Sequence, residues 1–320
     1  MAGAAQTAAV SGMRLALELI LFPGFAFCAL AGMVLSWLDR KVTARVQWRV
    51  GPPLLQPVYD LVKLLGKETI VPRDAFVFLA APLIGLAGVT LVGLLVGQAT
   101  LRPDLQTWGD LIAVAYLLTM LPLGTIIGAA ASRNPLASLG ASREMKLVLA
   151  YELPFILALA VAVIKADYAL SLGEILKVQW RDGIAASSLS GTLALLIAVL
   201  VTQAKLGLVP FDMAEAETEI MGGTTIEYSG APLAVIKLTK MMLLFVMPAL
   251  VATLFLGGLR LDAGAYGVGM GALKVLALAV VATLIRNTNP RVRIDQALRF
   301  FWGPVAILGF VAVVCATLGY

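Results

Sequence analysis

The sequence predicts an all-α integral membrane protein, with eight transmembrane helices, amphipathic helices in its cytoplasmic loops and both termini outside. Composition is the first observation behind this. Sixty per cent of the 320 residues are hydrophobic and 13% are charged, and the mean hydropathy is +0.94. A soluble domain so composed would have too few polar residues to cover its surface. The second observation is length: eight apolar segments can each cross about 30 Å of hydrocarbon as a helix. They lie near 15–37, 75–97, 111–131, 146–165, 189–207, 233–257, 269–286 and 301–319. Charge is the third. The connections after spans one, three and seven carry Arg40, Lys41, Arg45, Arg49, Lys63, Lys67 and Arg73, then Arg133, Arg143 and Lys146, then Arg286, Arg291, Arg293 and Arg299. The opposite connections carry Arg102, then Lys165, Lys177 and Arg181, then Arg260. Positive residues stay on the cytoplasmic side, which places both termini outside. The chain reads as a single membrane domain over 1–320, multi-pass in the inner (cytoplasmic) membrane of the cell, with cytoplasmic loops 38–74, 208–232 and 287–300.

Residues 1–14 read as a short external tail. Span one ends in Asp39-Arg40-Lys41, an interfacial stop, and is too long and too poorly flanked for a cleaved signal sequence. In the first loop Lys41, Arg45 and Arg49 recur every four residues, one basic face if helical, until Gly51-Pro52-Pro53 breaks the run. Leu54, Val58, Leu61, Val62 and Leu65 then keep helix spacing, with Tyr59, Lys63 and Lys67 on the other side. That describes an amphipathic helix at the membrane surface or against a partner. A plain basic interface helix holding anionic headgroups fits the same residues. Gly85, Gly88, Gly93 and Gly97 in span two allow close helix packing.

Span four differs, because Glu152 sits inside it beside Tyr151 and just before Pro154. A carboxylate at membrane depth costs at least about 2.5–3.5 kcal/mol unless it is paired or faces water. Pro154 also frees a carbonyl one turn earlier. The pattern points to a proton or ion pathway, with an interfacial glutamate snorkelling near a helix end as the blander alternative. The connection 166–188 has room for a short surface helix. Lys237 and Lys240 open span six, and Lys274 near the outer end of span seven reads as snorkelling.

The stretch Val209 to Gly230 holds Asp212, Glu215, Glu217, Glu219 and Glu227 and no basic residue. Pro210 suits the first turn of a helix and Gly222-Gly223 suits its end. On such a helix Asp212, Glu215 and Glu219 fall within roughly 60° of one another while Glu217 points away. Crowded carboxylates raise one another's proton affinity, so the cluster is suited to passing protons. With Lys237 and Lys240 nearby, Glu215, Glu219 and Glu227 read as one polar network. A solvated acidic turn that complements a helix dipole is the plainer reading.

Both cysteines, Cys28 and Cys315, fall inside predicted spans, and there is no histidine. A disulfide framework, an iron–sulfur cluster held by this chain alone and haem ligation through histidine are therefore excluded. Electrons in any reaction served here move in a partner. The net charge of +5 reflects topology, and no nucleic-acid partner is expected. No repeat or mirrored pattern of broken helices supports a self-contained transporter. Walker-type, zinc and nucleophile-elbow motifs are absent, so no catalytic or metal residue is expected.

Four stretches together resemble one family. Asp39-Arg40-Lys41 through Gln47, Gly51-Pro52, Leu55-Gln56-Pro57, Asp60, Lys63 and Lys67-Glu68 is similar to the first cytoplasmic loop of the membrane subunit that joins the two arms of respiratory complex I. Tyr151-Glu152-Leu153-Pro154 resembles its intramembrane Tyr-Glu-x-Pro. Pro210-Phe211-Asp212-x-x-Glu215-Ala216-Glu217 with Glu227-Tyr228-Ser229-Gly230 resembles its acidic loop, and Arg293-x-Asp295-Gln296 with Trp302 its final loop. The likeness runs from about residue 20 to the C-terminus. The step from Gly51-Pro52-Pro53 straight to Leu54-Leu55-Gln56-Pro57 is shorter than in quinone-reducing members. It resembles the homologous subunit of membrane-bound, energy-converting [NiFe] hydrogenases of the Ech, CO-induced and formate-hydrogenlyase types. Thr218-Glu219-Ile220 and Gly222-Gly223 are also more like that branch.

The resemblance implies a non-redox subunit of a multisubunit oxidoreductase that anchors a soluble hydrogenase module and couples electron transfer to proton or sodium translocation. It binds no cofactor itself. The Ni–Fe centre and iron–sulfur clusters are expected in partners: large and small hydrogenase subunits, an iron–sulfur subunit and antiporter-like membrane subunits. The implied ion pathway is Glu152, Asp212, Glu215, Glu217, Glu219, Glu227, Lys237 and Lys240. The implied docking set is Arg40, Lys41, Arg45, Arg49, Gln56, Asp60, Lys63, Lys67, Arg291, Arg293 and Asp295. The alternative is the quinone-binding arm-joining subunit of a complex I-type oxidoreductase.

Overall fold

The computed structural model describes residues 14–72, 75–104, 110–260 and 263–320. Residues 1–13 of the external tail expected over 1–14, and Arg73, lie outside the described residues, and Arg14 opens the first helix. Among those described, every regular element is helical. Seven helices are long and apolar enough to cross a membrane: Arg14–Val46, Phe76–Leu101, Asp110–Ala131, Pro135–Lys165, Gly230–Phe255, Gly264–Thr288 and Ile294–Thr317. Leu189–Lys205 is apolar and shorter, at 17 residues, or about 26 Å. In chain order these are spans one to eight, and the protein is an all-α integral membrane protein.

Span six is the axis of the bundle, with 83% of its most apolar stretch buried. Spans one, two and seven pack around one side of it, while spans four, five and eight form a second group joined to it through span five. Span two packs on span three, and span three on span four. The glycines of span two serve that packing. A Cβ on Gly93 would lie 2.4 Å from Cys28 Sγ, and one on Gly97 would lie 2.3 Å from Pro23.

Span four begins at Pro135, well before its apolar core. Asn134 caps it, accepting a hydrogen bond from the Leu136 amide at 2.8 Å, and proline is favourable at the first helical position. The polar turn containing Arg143 and Glu144 is therefore helical and stands directly above the membrane part of the span. The surface helix in the 166–188 connection is Leu172–Asp182. Its buried Gln179 donates to the carbonyls of Thr253 (2.9 Å) and Leu254 (3.0 Å), satisfying the last turn of span six. Lys274 does not simply reach for water. Its Nζ donates to the carbonyls of Leu256 (2.6 Å) and Gly258 (3.4 Å) at the end of span six.

The loops separate into two ends. One end gathers 39–72, 131–144, 205–230 and 286–296, which are tied to one another by ion pairs and hydrogen bonds. The opposite end gathers the starts of spans one, three, five and seven with the ends of spans two, four, six and eight. There Asp104 pairs with Lys177 at 2.6 Å and Lys165 Nζ donates to the Tyr320 carbonyl at 3.1 Å.

Candidate functional site

The acidic connection does not form the helix that its proline and glycines suggest. Residues 207–216 are a chain of turns, and the helical residues that follow are the single α-turn Glu217–Ile220 and the 3-10 turn Gly223–Thr225. Asp212, Glu215 and Glu219 consequently do not share a face. Each is drawn to a cation on a different element, and these long-range pairs outweigh local helix preference. Asp212 Oδ2 accepts from Arg291 Nε (2.8 Å) and Nη2 (2.7 Å) in the last loop. Glu215 pairs with Lys240 of span six, and Glu219 with Arg143 of span four at 2.5 Å. Glu227 accepts from Asn134 Nδ2 at 2.5 Å. Glu217 is exposed and forms no ion pair among the described residues. The expected single network therefore divides, and Lys237 leaves it. Its exposed amine acts on Asp60 of the first loop instead.

Glu152 has a partner that sequence reasoning missed. Lys205, at the end of span five, places Nζ 3.0 Å from Glu152 Oε2. The Lys205 side chain is 2% exposed and its Nζ lies 4.7 Å from the Tyr151 ring centre and 4.4 Å from that of Phe155. Two aromatic faces and one carboxylate compensate the ammonium where water is scarce.

Between these pairs lies a polar cavity of about 30 Å³ lined by Glu144, Lys205, Asp212, Glu215, Lys240 and Thr125, among others. That is room for a water with several polar partners. Glu144, which sequence reasoning also missed, faces Glu215 and Lys240 across it without a hydrogen bond among the described residues. It sits eight residues before Glu152 on the same helix, about 12 Å along the axis. Asp212 Oδ1 is buried with no hydrogen-bond partner among the described residues. Three carboxylates and two ammonium groups thus surround one water-sized space.

The three loops at this end interlock around the acidic segment. Tyr228 stacks on Phe78, centres 4.1 Å apart and planes within 8°, and its hydroxyl donates to the Phe78 carbonyl at 3.1 Å. Burial pushes the Tyr228 phenol up to about 12. Ser229 Oγ accepts from the Ile70 amide at 2.9 Å, and the Val292 amide donates to the Pro210 carbonyl at 3.1 Å. Phe211 packs against Phe301, centres 4.8 Å apart.

Part of the expected docking set braces the chain itself. Arg40 pairs with Asp60 at 2.6 Å and Gln56 donates to the same carboxylate at 2.8 Å. Desolvation would raise the Asp60 carboxyl, but these two hydrogen bonds and the Arg40 and Lys237 charges together hold it below the ordinary value. Arg291 is committed to Asp212 and, at 2.9 Å, to Thr218. Asp39, a further miss, pairs with Arg286 at 2.6 Å and locks span one to span seven. Arg45, Arg49, Lys63, Lys67, Arg293 and Asp295 are exposed and Lys41 half-buried. With them stand Trp48 and Val50, 97% and 98% exposed. The amphipathic helix is Gln56–Leu65; it buries Pro57 and Leu61, while Leu55 before it and its own Tyr59, Val62 and Leu65 stay exposed.

The profile of the NADH dehydrogenase family matches residues 19–317. The chain belongs to that family. The NADH-quinone oxidoreductase H subunit of Thermomicrobium roseum is 37% identical over 306 residues, covering 86% of this chain and 88% of the relative. The corresponding protein of Rubrobacter xylanophilus is 35% identical over 296 residues, with the same two coverages. That of Dehalococcoides mccartyi is 31% identical over 291 residues, 87% of this chain and 79% of the relative. Among solved structures, a chain of the membrane-bound sulfane sulfur reductase, an archaeal respiratory membrane complex, matches with a TM-score of 0.86 and 28% identity. The match covers 94% of this chain and 98% of that one. The chain is thus a complex I-like membrane subunit, homologous to these three oxidoreductase subunits.

Proposed function

We propose that this chain seats a soluble electron-transfer module on its loop-bearing end, facing the cytoplasm, and couples that module to proton or sodium translocation through the paired carboxylates. One observation carries the reading: Asp212, Glu215, Lys240, Glu144 and Lys205 line one water-sized cavity, with Arg291 paired to Asp212 on the loop side and Glu152 paired to Lys205 inside the bundle. Intramembrane ionisable groups are costly, and their usual role is ion movement. A change in the dock that moved Lys240 or Arg291 would alter a neighbouring carboxylate's proton affinity. One pKa unit corresponds to about 1.4 kcal/mol, so a small displacement is enough to load or release a proton. Trp48 and Val50, apolar and almost wholly exposed, provide the surface for the docked module.

Two readings of that module each rest on an observation. The compressed run from Gly51 to Pro57 supports a [NiFe] hydrogenase with its own iron–sulfur relay and antiporter-like membrane neighbours. The names of the three curated relatives support a quinone-reducing module. Purified complex assayed for hydrogen evolution and for quinone reduction separates them. The coupling role is tested in proteoliposomes carrying Glu215→Gln or Glu152→Gln. Electron transfer is expected to persist while ion pumping fails; full pumping in both variants removes the relay.

A further inference from the structure

At the end of the bundle opposite the acidic loop, a half-open groove of about 530 Å³ lies between spans one, two, six and seven. It runs alongside Gly93–Leu101, Phe245–Thr253 and Val268–Leu276. Each of these segments rises about 12 Å along its helix, close to the depth of one leaflet of a hydrocarbon core about 30 Å thick. The lining is apolar apart from two threonines, and the hydroxyl proton of each is already engaged. Thr100 Oγ1 donates to the Val96 carbonyl at 2.9 Å, and Thr253 Oγ1 to the Ala249 carbonyl at 2.8 Å. The wall therefore offers no free donor to a polar ring or headgroup, only contact for hydrocarbon.

The mouth has the opposite character. Leu101 lines the groove and Arg102 follows it. Arg102 Nη2 lies 2.8 Å and Arg14 Nε 3.2 Å from the same Glu18 oxygen, while Gln98 donates to the other oxygen at 2.9 Å. Two guanidinium groups thus share one carboxylate, and Arg14 and Arg102 keep 63% and 40% of their side chains exposed. Arg14, Arg102 and Glu18 together carry one net positive charge at the end of span two.

We propose that this groove holds an acyl chain of an anionic phospholipid, with its phosphate on Arg14 and Arg102. A transmembrane helix of a neighbouring subunit is the rival occupant. An apolar helix brings no anion to Arg14 and Arg102, whereas an anionic lipid supplies both the hydrocarbon for the wall and the phosphate for the guanidinium groups.

The test uses the assembled complex reconstituted in phosphatidylcholine vesicles containing phosphatidylglycerol with a photoreactive group in its acyl chain. Crosslinks are expected on the peptides around Phe245, Val268 and Ala272. Ala272→Phe, at an exposed position that tolerates bulk, is expected to cut labelling there about tenfold, equivalent to about 1.4 kcal/mol. Arg102→Gln is expected to lower the preference for phosphatidylglycerol over an equally labelled phosphatidylcholine about fivefold, as loss of one charge near a membrane surface implies. Mapping wild type alone already decides the matter if a variant misassembles. Labelling confined to other surfaces, or a photoreactive residue at Val268 that captures another subunit, overturns the proposal; equal labelling by both lipids overturns the phosphate site.

Discussion

Lys205 Nζ and Glu152 Oε2 lie 3.0 Å apart on different spans, and the lysine is enclosed by the Tyr151 and Phe155 rings. Removing one partner of such a pair leaves an uncompensated charge, at a cost of about 3–5 kcal/mol. Glu152→Gln is therefore expected to lower the melting temperature of the assembled complex more than Lys205→Met does, because it strands an ammonium whose side chain is 2% exposed, whereas the glutamate left by Lys205→Met keeps 24% of its side chain exposed. The double variant is expected to regain most of the stability and none of the pumping. Thermal melts and proteoliposome pumping on the three variants check both halves. Pumping restored in the double variant would show the pair to be a structural brace only.

Arg291 joins the last loop to the acidic one through Asp212 and Thr218. Its planar fork serves two acceptors at once, which a lysine's single ammonium does not reproduce. Arg291→Lys is expected to keep the Asp212 pair and lose the Thr218 bond, destabilising the segment by about 1 kcal/mol, while Arg291→Ala costs about 2–3 kcal/mol because Asp212 remains buried without its cation. Hydrogen exchange of residues 208–220 reads this directly. Equal protection in wild type and Arg291→Ala removes the brace.

These relationships mark where the sequence was legible. Hydropathy locates the spans because lipid requires a continuous apolar surface and internally satisfied backbone. It misplaces the start of span four, whose first turns are polar and are held in the helix by the Asn134 cap. The acidic residues were visible as a cluster, yet their partners were not. Arg143, Lys240 and Arg291 come from three separate elements, and local helix geometry carries no record of them. Lys205 was the recoverable miss: a lysine ending an apolar run needs a carboxylate or water, and Glu152 on span four is the intramembrane carboxylate that meets it. Glu144 carried no comparable signal, since a glutamate before an apolar run reads as interfacial.

Tyr228 gives a pH dependence with a defined sign. Its phenol is pushed up to about 12 by burial, against about 10 in the unfolded chain. A folded value above the unfolded one means that its contribution is complete below about pH 10 and declines as pH rises through 12. Tyr228→Phe cannot ionise, so its stability is expected to fall less steeply between pH 10 and 12, although it is lower at neutral pH by about 1 kcal/mol for the lost bond to the Phe78 carbonyl. Chemical denaturation of the two proteins across that range measures it. Parallel pH curves would mean that the phenol titrates normally.

Gly140 sets how closely span four approaches the acidic loop. A Cβ there would lie 2.7 Å from the Thr224 amide nitrogen and 2.9 Å from the Ala214 carbonyl oxygen. Both are backbone atoms, so neither can swing aside, and the loop has to lift away from the helix. Overpacking of this kind costs about 1–3 kcal/mol. Its larger consequence falls on geometry: Glu144 is one turn further along the same helix, and lifting the loop separates it from Glu215 and Lys240 across the water-sized cavity. Gly140→Ala is thus expected to assemble and transfer electrons while pumping weakly. Gly303→Ala, where a Cβ meets nothing within 4 Å, serves as the silent control. If Gly140→Ala pumps as well as that control, the spacing between span four and the acidic loop does not govern coupling.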